Sequence, residues 1–326
     1  LAASMGEFAL NTTPAAAIES RSLSNGMTLL VQPMPWLRTA AFSLNLHAGV
    51  QPEPEQLGGL SGLVCEMVQR GAGQYSSRDL VAVQDNLGID RNSGVSTALV
   101  SFGSAMPAES LQSAIELYAD VVRRPHLPQD QLEDAKMMAL QELRAMEDEP
   151  THRVMRRLRE LHYGEQLGRS IYGSEQGLQR ITQDDVREFY KRRYHAGGAI
   201  LAVAGNVDPD QVIAWAEAAF GDWKTMPNES LGQPQGRSTY EHIESPSSQT
   251  HIGFAFASVP YGHAEYFKMR AGIGILSDGM SSRLFDRVRE QRGLCYTVTA
   301  SCHSLQNAGG VFGYAGTTPE SCLLYT

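Results

Sequence analysis

No long apolar run occurs in this sequence. Stretches such as Ala199-Ile-Leu-Ala-Val-Ala204 fall far short of the roughly 18 residues that a membrane-spanning helix requires. A basic surplus is missing too: 27 Lys and Arg stand against 36 Asp and Glu, a net charge of −9. With no excess of cations to neutralise phosphates, nucleic acid is not an expected partner. Cysteine is scarce. Cys65, Cys295, Cys302 and Cys322 lack C-x-x-C spacing, which excludes a disulfide framework and a tetrathiolate zinc site. The first residues, Leu1 to Phe8, have neither a positive n-region nor an apolar h-region, so residues 1–22 read as an N-terminal arm with any signal peptide already gone. What is present is 42% apolar residue content over 326 positions, enough for two domains that each bury a core. The expectation is a soluble, acidic protein of the cytoplasm or periplasm.

Strand patterns at 26–33 and 40–48 flank a turn that carries Pro33 and Pro35. From 57 to 70, Leu57, Leu60, Leu63, Val64, Met67 and Val68 recur at helical spacing, and Gly71 can end that helix. Further helical patterns lie near 76–87, 108–124, 129–147, 151–162, 183–194 and 209–220, with strand-like runs at 95–104 and 199–204. Within them, the charges from Arg153 to Glu160 read as a solvated helix face. This succession predicts an α+β fold, a mixed sheet covered by helices, over residues 23–225. Pro227, Gly232, Pro234, Gly236 and Pro246 then mark a linker over 226–249, and a strand restarts at His251.

The remainder, 250–326, repeats the first part. Ser76-Ser-Arg78 and Leu87-Gly-Ile89 reappear as Ser281-Ser-Arg283 and Arg292-Gly-Leu294, and Met106-Pro-Ala-Glu-Ser110 is answered by Thr318-Pro-Glu-Ser321. The spacing predicts a second domain like the first, C-terminally incomplete at Cys322–Thr326.

Two glutamates sit where charge is costly. Glu142 falls in the stripe of Leu132, Ala135, Met138, Ala139, Ala145 and Met146, and Glu66 shares a helix face with Gly59 and Gly62. Such a carboxylate reaches a helix end, an amide or an arginine, binds a cation, or takes up a proton. If the two lie together, a water, a cation or a shared proton is expected between them.

The segment Gly59-Leu-Ser-Gly-Leu-Val-Cys-Glu-Met-Val-Gln-Arg-Gly71 resembles the zinc-site helix of the pitrilysin/insulinase peptidases, a family that includes the mitochondrial processing peptidase. The resemblance continues through Arg169-Ser-Ile-Tyr-Gly173, Phe189-Tyr190, Val203-Ala-Gly205, Gly279-Met-Ser-Ser-Arg-Leu284 and Val288-Arg-Glu-Gln-Arg-Gly-Leu-Cys-Tyr296. It implies two similar domains closing as a clamshell, completed by a second chain. In that family two imidazoles one helical turn apart grip zinc, and a glutamate takes a proton from the bound water. Here Gly62 stands at the first histidine, Cys65 at the catalytic glutamate and Glu66 at the second histidine; Glu142 matches the third ligand. The resemblance therefore implies a chain with a degenerate zinc site and no cofactor of its own, with Glu66 and Glu142 as residual metal candidates. Zinc is expected in a related partner subunit, in a heterodimer or alternatively a homodimer. Arg289 and Tyr296 match the family's substrate-binding pair, so a peptide or unfolded protein segment is the implied substrate. A scaffold without a peptidase role, and a peptidase with an atypical metal site, remain open.

Overall fold

The computed structural model describes residues 17–228 and 232–322. Its first sheet is built from Glu19–Ser22 (β1), Thr28–Pro33 (β2), Thr39–Leu46 (β3), Asp90–Val95 (β4), Val100–Pro107 (β5) and Ile200–Gly205 (β6), in the order β1-β2-β6-β3-β5-β4. Only β2 and β6 run parallel, which makes the sheet mixed. Its helices are Leu60–Met67 (α1), Ser77–Asn86 (α2), Leu111–Arg123 (α3), Leu132–Asp148 (α4), Pro150–Tyr163 (α5), Glu175–Arg180 (α6), Gln183–Arg193 (α7) and Pro209–Phe220 (α8).

Period-two patterning decides which face of this sheet is covered. Ala40, Phe42, Leu44 and Leu46 of β3 are buried, and the Tyr118 ring of α3 packs edge-on against Phe42 and Phe102. The opposite face carries small and polar groups: Asn45 donates to Ser43 and accepts from Ser101. Local signals fix the helix starts. Thr182 and Asp185 form a reciprocal capping box on α7, and Asp208 caps α8 just ahead of Pro209.

After the linker come Thr250–Ser258 (β7), Cys295–Ser304 (β8) and Gly309–Thr317 (β9), in the order β7-β9-β8, with helices Tyr266–Ser277 (α9) and Pro319–Cys322 (α10). The order β3-β5-β4 thus recurs as β7-β9-β8, with every one of these pairs antiparallel. Together the two sheets and their helices make an α+β fold, as the patterning predicts. Among the described residues, no helix is long and apolar enough to cross a membrane.

Helix α5 packs on the second sheet and against α4. Gly253 of β7 sits so close to it that an added Cβ would lie 2.7 Å from Val154 Cγ1. Thr151 donates to the Tyr314 hydroxyl, which lies 2.7 Å from His251 Nδ1. Tyr163, Leu167, Ala308 and Phe312 close a small second core. The linker is laid along the same helix: the Gln235 and Arg237 amides donate to Tyr163 and Leu161, and Arg157 grips Glu241 through two bonds of 2.9 and 2.8 Å.

Four sequence expectations need correction here. Residues 19–22 of the N-terminal arm form edge strand β1; residues 1–16 lie outside the described residues. The helix read over 57–70 is shorter, a 3-10 turn at Glu55–Leu57 followed by α1, because Gly59 takes a left-handed φ of 104° between them. The strand at 95–104 is two strands, β4 and β5, around a turn at 96–99. The charged run on α5 covers the second sheet, since Val154 and Leu158 lie against β7.

Candidate functional site

Helix α1 begins on a buried carboxylate. Glu53, 5% exposed, accepts from the Gly59 and Ser61 amides at 3.1 and 2.5 Å, filling two donors that a helix start leaves unpaired. Burial pushes its carboxyl up to about 7, against the pull of these two amides and of Arg169. Arg169 also donates to the Glu53 carbonyl, and the Ser61 hydroxyl donates to Ala48. Gly59 is required at this corner, because a Cβ would meet Leu178 Cδ2 at 2.7 Å and the φ is left-handed. Glu53 belongs to no sequence motif. The usable signal was a lone carboxylate between Pro52 and Pro54, just ahead of a glycine-opened helix.

The three motif positions on α1 face different surroundings. Gly62 borders open space; only the Ile171 carbonyl, at 3.8 Å, comes near its virtual Cβ. Cys65 is buried and has its thiol pushed up to about 12, chiefly by burial and against the pull of Ser93 of β4. Glu66 is half exposed and tied to Arg70, one turn on, at 3.0 Å. Arg70 in turn reaches Met138 Sδ of α4 at 3.3 Å, one turn from Glu142.

Glu142 itself is exposed, which corrects the costly-charge reading. The buried row of α4 is Leu132, Ala135, Lys136 and Leu143, whereas Met138 is 56% exposed. Glu66 has Arg70 as its counter-ion, whereas Glu142 stands exposed on α4 one turn from Met138, which Arg70 also reaches. Among the described residues, no three His, Cys, Asp or Glu side chains gather in a group that could hold a metal ion. The imidazoles of His47 and His195 lie off this helix, and burial lowers the basicity of both.

Arg289 and Tyr296 lie together in the second half. Arg289 occupies a π-helical turn, Phe285–Glu290, an irregularity frequent at functional sites. The chain then reverses at Gly293, whose φ is 60°; the Gly293 amide donates to Arg289 and the Leu294 amide to Val288. Tyr296 falls at a register break in β8: Cys295 and Thr297 pair with Thr317 and Gly316, and Tyr296 is the extra residue between them. The break aims its ring outward, 76% exposed and 4.8 Å from the Arg289 guanidinium carbon.

Strand β4 flanks α1 in the first half. It ends the first sheet, pairs among the described residues only with β5, is mostly exposed, and lies beside α1, just past which Gln69 donates to Ser93. Its outer backbone groups are open to a further strand.

Two family models match the chain: insulinase (peptidase family M16) over residues 30–175, and the peptidase M16 inactive domain over 180–324. An uncharacterized zinc protease of Rickettsia felis is 27% identical over 93% of this chain and 74% of its own length. Among solved structures, the peptidase M16 inactive domain from Pseudomonas fluorescens superposes with a TM-score of 0.86 at 23% identity, covering 93% of this chain and 75% of that one. A protease from Helicobacter pylori reaches 0.85 at 16% identity, covering 95% and 79%. At these identities the two structures bear on the fold alone.

Proposed function

The chain belongs to the insulinase-type M16 peptidase family, and on that premise we propose that it is a non-catalytic subunit that binds peptide for a zinc-bearing partner. Members of this family often work as paired subunits. The observation that carries the reading is the contrast between α1 and the 285–296 segment. On α1 the donor set does not fit zinc. Gly62 offers no ligand, Cys65 is buried with its thiol held protonated, Glu66 is engaged by Arg70, and Glu142 is a lone exposed carboxylate. Carboxylates without an imidazole or thiolate are also the wrong chemistry for that ion. No water-activating step is available to this chain through these residues.

Arg289 and Tyr296, by contrast, are adjacent and accessible. A guanidinium suits a peptide carbonyl or carboxylate, and a phenol hydroxyl can donate to a carbonyl polarised elsewhere. An extended peptide would add to the free edge of β4, where backbone hydrogen bonds give affinity without demanding a sequence. The metal that does the chemistry belongs in this reading to the partner's helix, and this chain's groups orient the substrate.

The test is reconstitution with an M16 subunit that carries intact zinc ligands. This chain alone should hold no stoichiometric zinc and cleave no peptide. The mixed complex should be active, and Arg289→Ala or Tyr296→Phe should each cut its rate about tenfold or more while assembly persists. Both variants cleaving at the full rate would favour a scaffold role. Chelator-sensitive cleavage by this chain alone would favour an atypical metal site.

A further inference from the structure

Arg289 is held in an unusual way. Its guanidinium carbon lies 4.7 Å from the centroid of Phe285 and 4.8 Å from that of Tyr296, so two aromatic rings share one cation. The nearest carboxylate, Glu290, is 3.6 Å from Nε, beyond hydrogen-bond length. The side chain is about one-third exposed, and no hydrogen bond from it is formed within the described residues. A guanidinium usually spends its five N–H groups on carboxylates or carbonyls. This one is held by π-attraction, which fixes the cation and leaves its donors unspent.

From this we propose that Phe285 is a positioning residue: it clamps Arg289 against Tyr296 so that the guanidinium is pre-oriented, with free N–H donors, for a peptide acceptor. The inference rests on the proposed peptide-binding role of Arg289 and Tyr296. The two rings play different parts. Phe285 is half buried and lies on the same π-helical turn as Arg289, so it is the fixed jaw. Tyr296 is 76% exposed at an irregular strand position, so it is the jaw free to swing toward a bound carbonyl. While Tyr296 lies over the cation it covers one face of the guanidinium and leaves the N–H edge and its own hydroxyl accessible. When a peptide draws the tyrosine away, Phe285 still holds the arginine. An acidic partner at position 285 would hold the arginine as well, but it would consume the donors that the peptide needs.

The experiment uses the full chain with fluorescein-labelled β-casein, an unfolded protein, as the binding probe. Arginine clamping is read separately, as the phenylglyoxal modification rate of Arg289 and as the ring-current shift of its Nε–H resonance. Phe285→Leu should raise the modification rate severalfold, remove the upfield shift and weaken casein binding about two- to fivefold, the worth of one cation–π contact. Phe285→Trp should restore all three readouts, which a merely structural role would not require. Should Phe285→Leu fail to fold, Phe285→Met tests the same loss of a ring with a side chain of similar volume. The clamp is overturned if Arg289 reacts and resonates in the leucine or methionine variant as in the wild type while Arg289→Ala still weakens casein binding. If Arg289→Ala binds casein like the wild type, the underlying peptide-binding role fails, and the positioning role with it.

Discussion

Acid should loosen the seam between the second sheet and α5, and His303 is the group through which it acts. The Tyr163 hydroxyl lies 2.9 Å from both Nδ1 and the carbonyl oxygen of His303, and the imidazole packs edge-on against Phe312. Burial, reinforced by the cationic Arg159 and by His162, lowers its pKa from 6.5 to about 4. A histidine with a depressed folded value contributes stability that is complete above about 6.5 and lost as pH falls through about 4, because the unfolded chain takes up the proton first. A gap of that size corresponds to at most about 3 kcal/mol, and partial solvent access reduces it to roughly 2. Hydrogen exchange of β8 and β9 amides between pH 7 and 4, corrected for intrinsic rates, reads this opening locally. Protection should fall across that window in the wild type. His303→Gln offers Tyr163 a neutral acceptor without a titrating ring, so its protection should stay nearly flat. Equal pH slopes in both proteins would show that His303 is not the responsible group.

Two further predictions concern α1. Gly62→Ala should stabilise the chain by about 0.5–1 kcal/mol in urea denaturation, since the position is helical and nothing approaches the virtual Cβ closer than 3.8 Å; a lower midpoint would mean that this side of α1 is occupied. In the native chain at pH 8, iodoacetamide should label Cys295 and Cys302 well before Cys65, whose thiol is pushed up to about 12, as peptide mass spectrometry can follow. Early labelling of Cys65 would contradict its burial and reopen it as a metal ligand.

Much of this was legible in the sequence where patterns were regular. The repeat read from Ser76-Ser-Arg78 and Ser281-Ser-Arg283 reappears as the shared strand order β3-β5-β4 and β7-β9-β8. The motif around Val288–Tyr296 located two residues that do sit in contact. What escaped depends on partners distant in the chain. Glu19-Ser-Arg-Ser22 has no strand pattern of its own and is a strand only because β2 supplies the ladder. On α4, Met138 and Ala145 suggested a stripe through Glu142, but the row that meets the protein runs through Leu132, Ala135 and Leu143, spaced by three and eight residues. Helix α5 was misread because charge dominates its composition, although Val154 and Leu158 already lay one turn apart. Its apolar side became meaningful only once β7 arrived from about a hundred residues away.

The backbone itself separates the binding reading from the scaffold reading. Regular structure has been spent on α1: a buried carboxylate, a left-handed glycine and an arginine strap hold this helix in place, and among the described residues no three His, Cys, Asp or Glu side chains gather around it. That is what a wall needs, since a chamber side must keep its shape whether or not it carries a metal. At Arg289 and Tyr296 the opposite holds. A π-helical turn and a broken strand register interrupt the regular ladder there, and among the described residues none of 284–296 belongs to a buried core cluster. A scaffold would be served as well or better by a regular helix and an unbroken strand there. The irregular pair has a use if something must reach an arginine with unspent donors and a tyrosine turned out to meet it. Straightening β8 by deleting Tyr296 therefore separates the two readings: assembly should be kept or improved, and peptide binding lost.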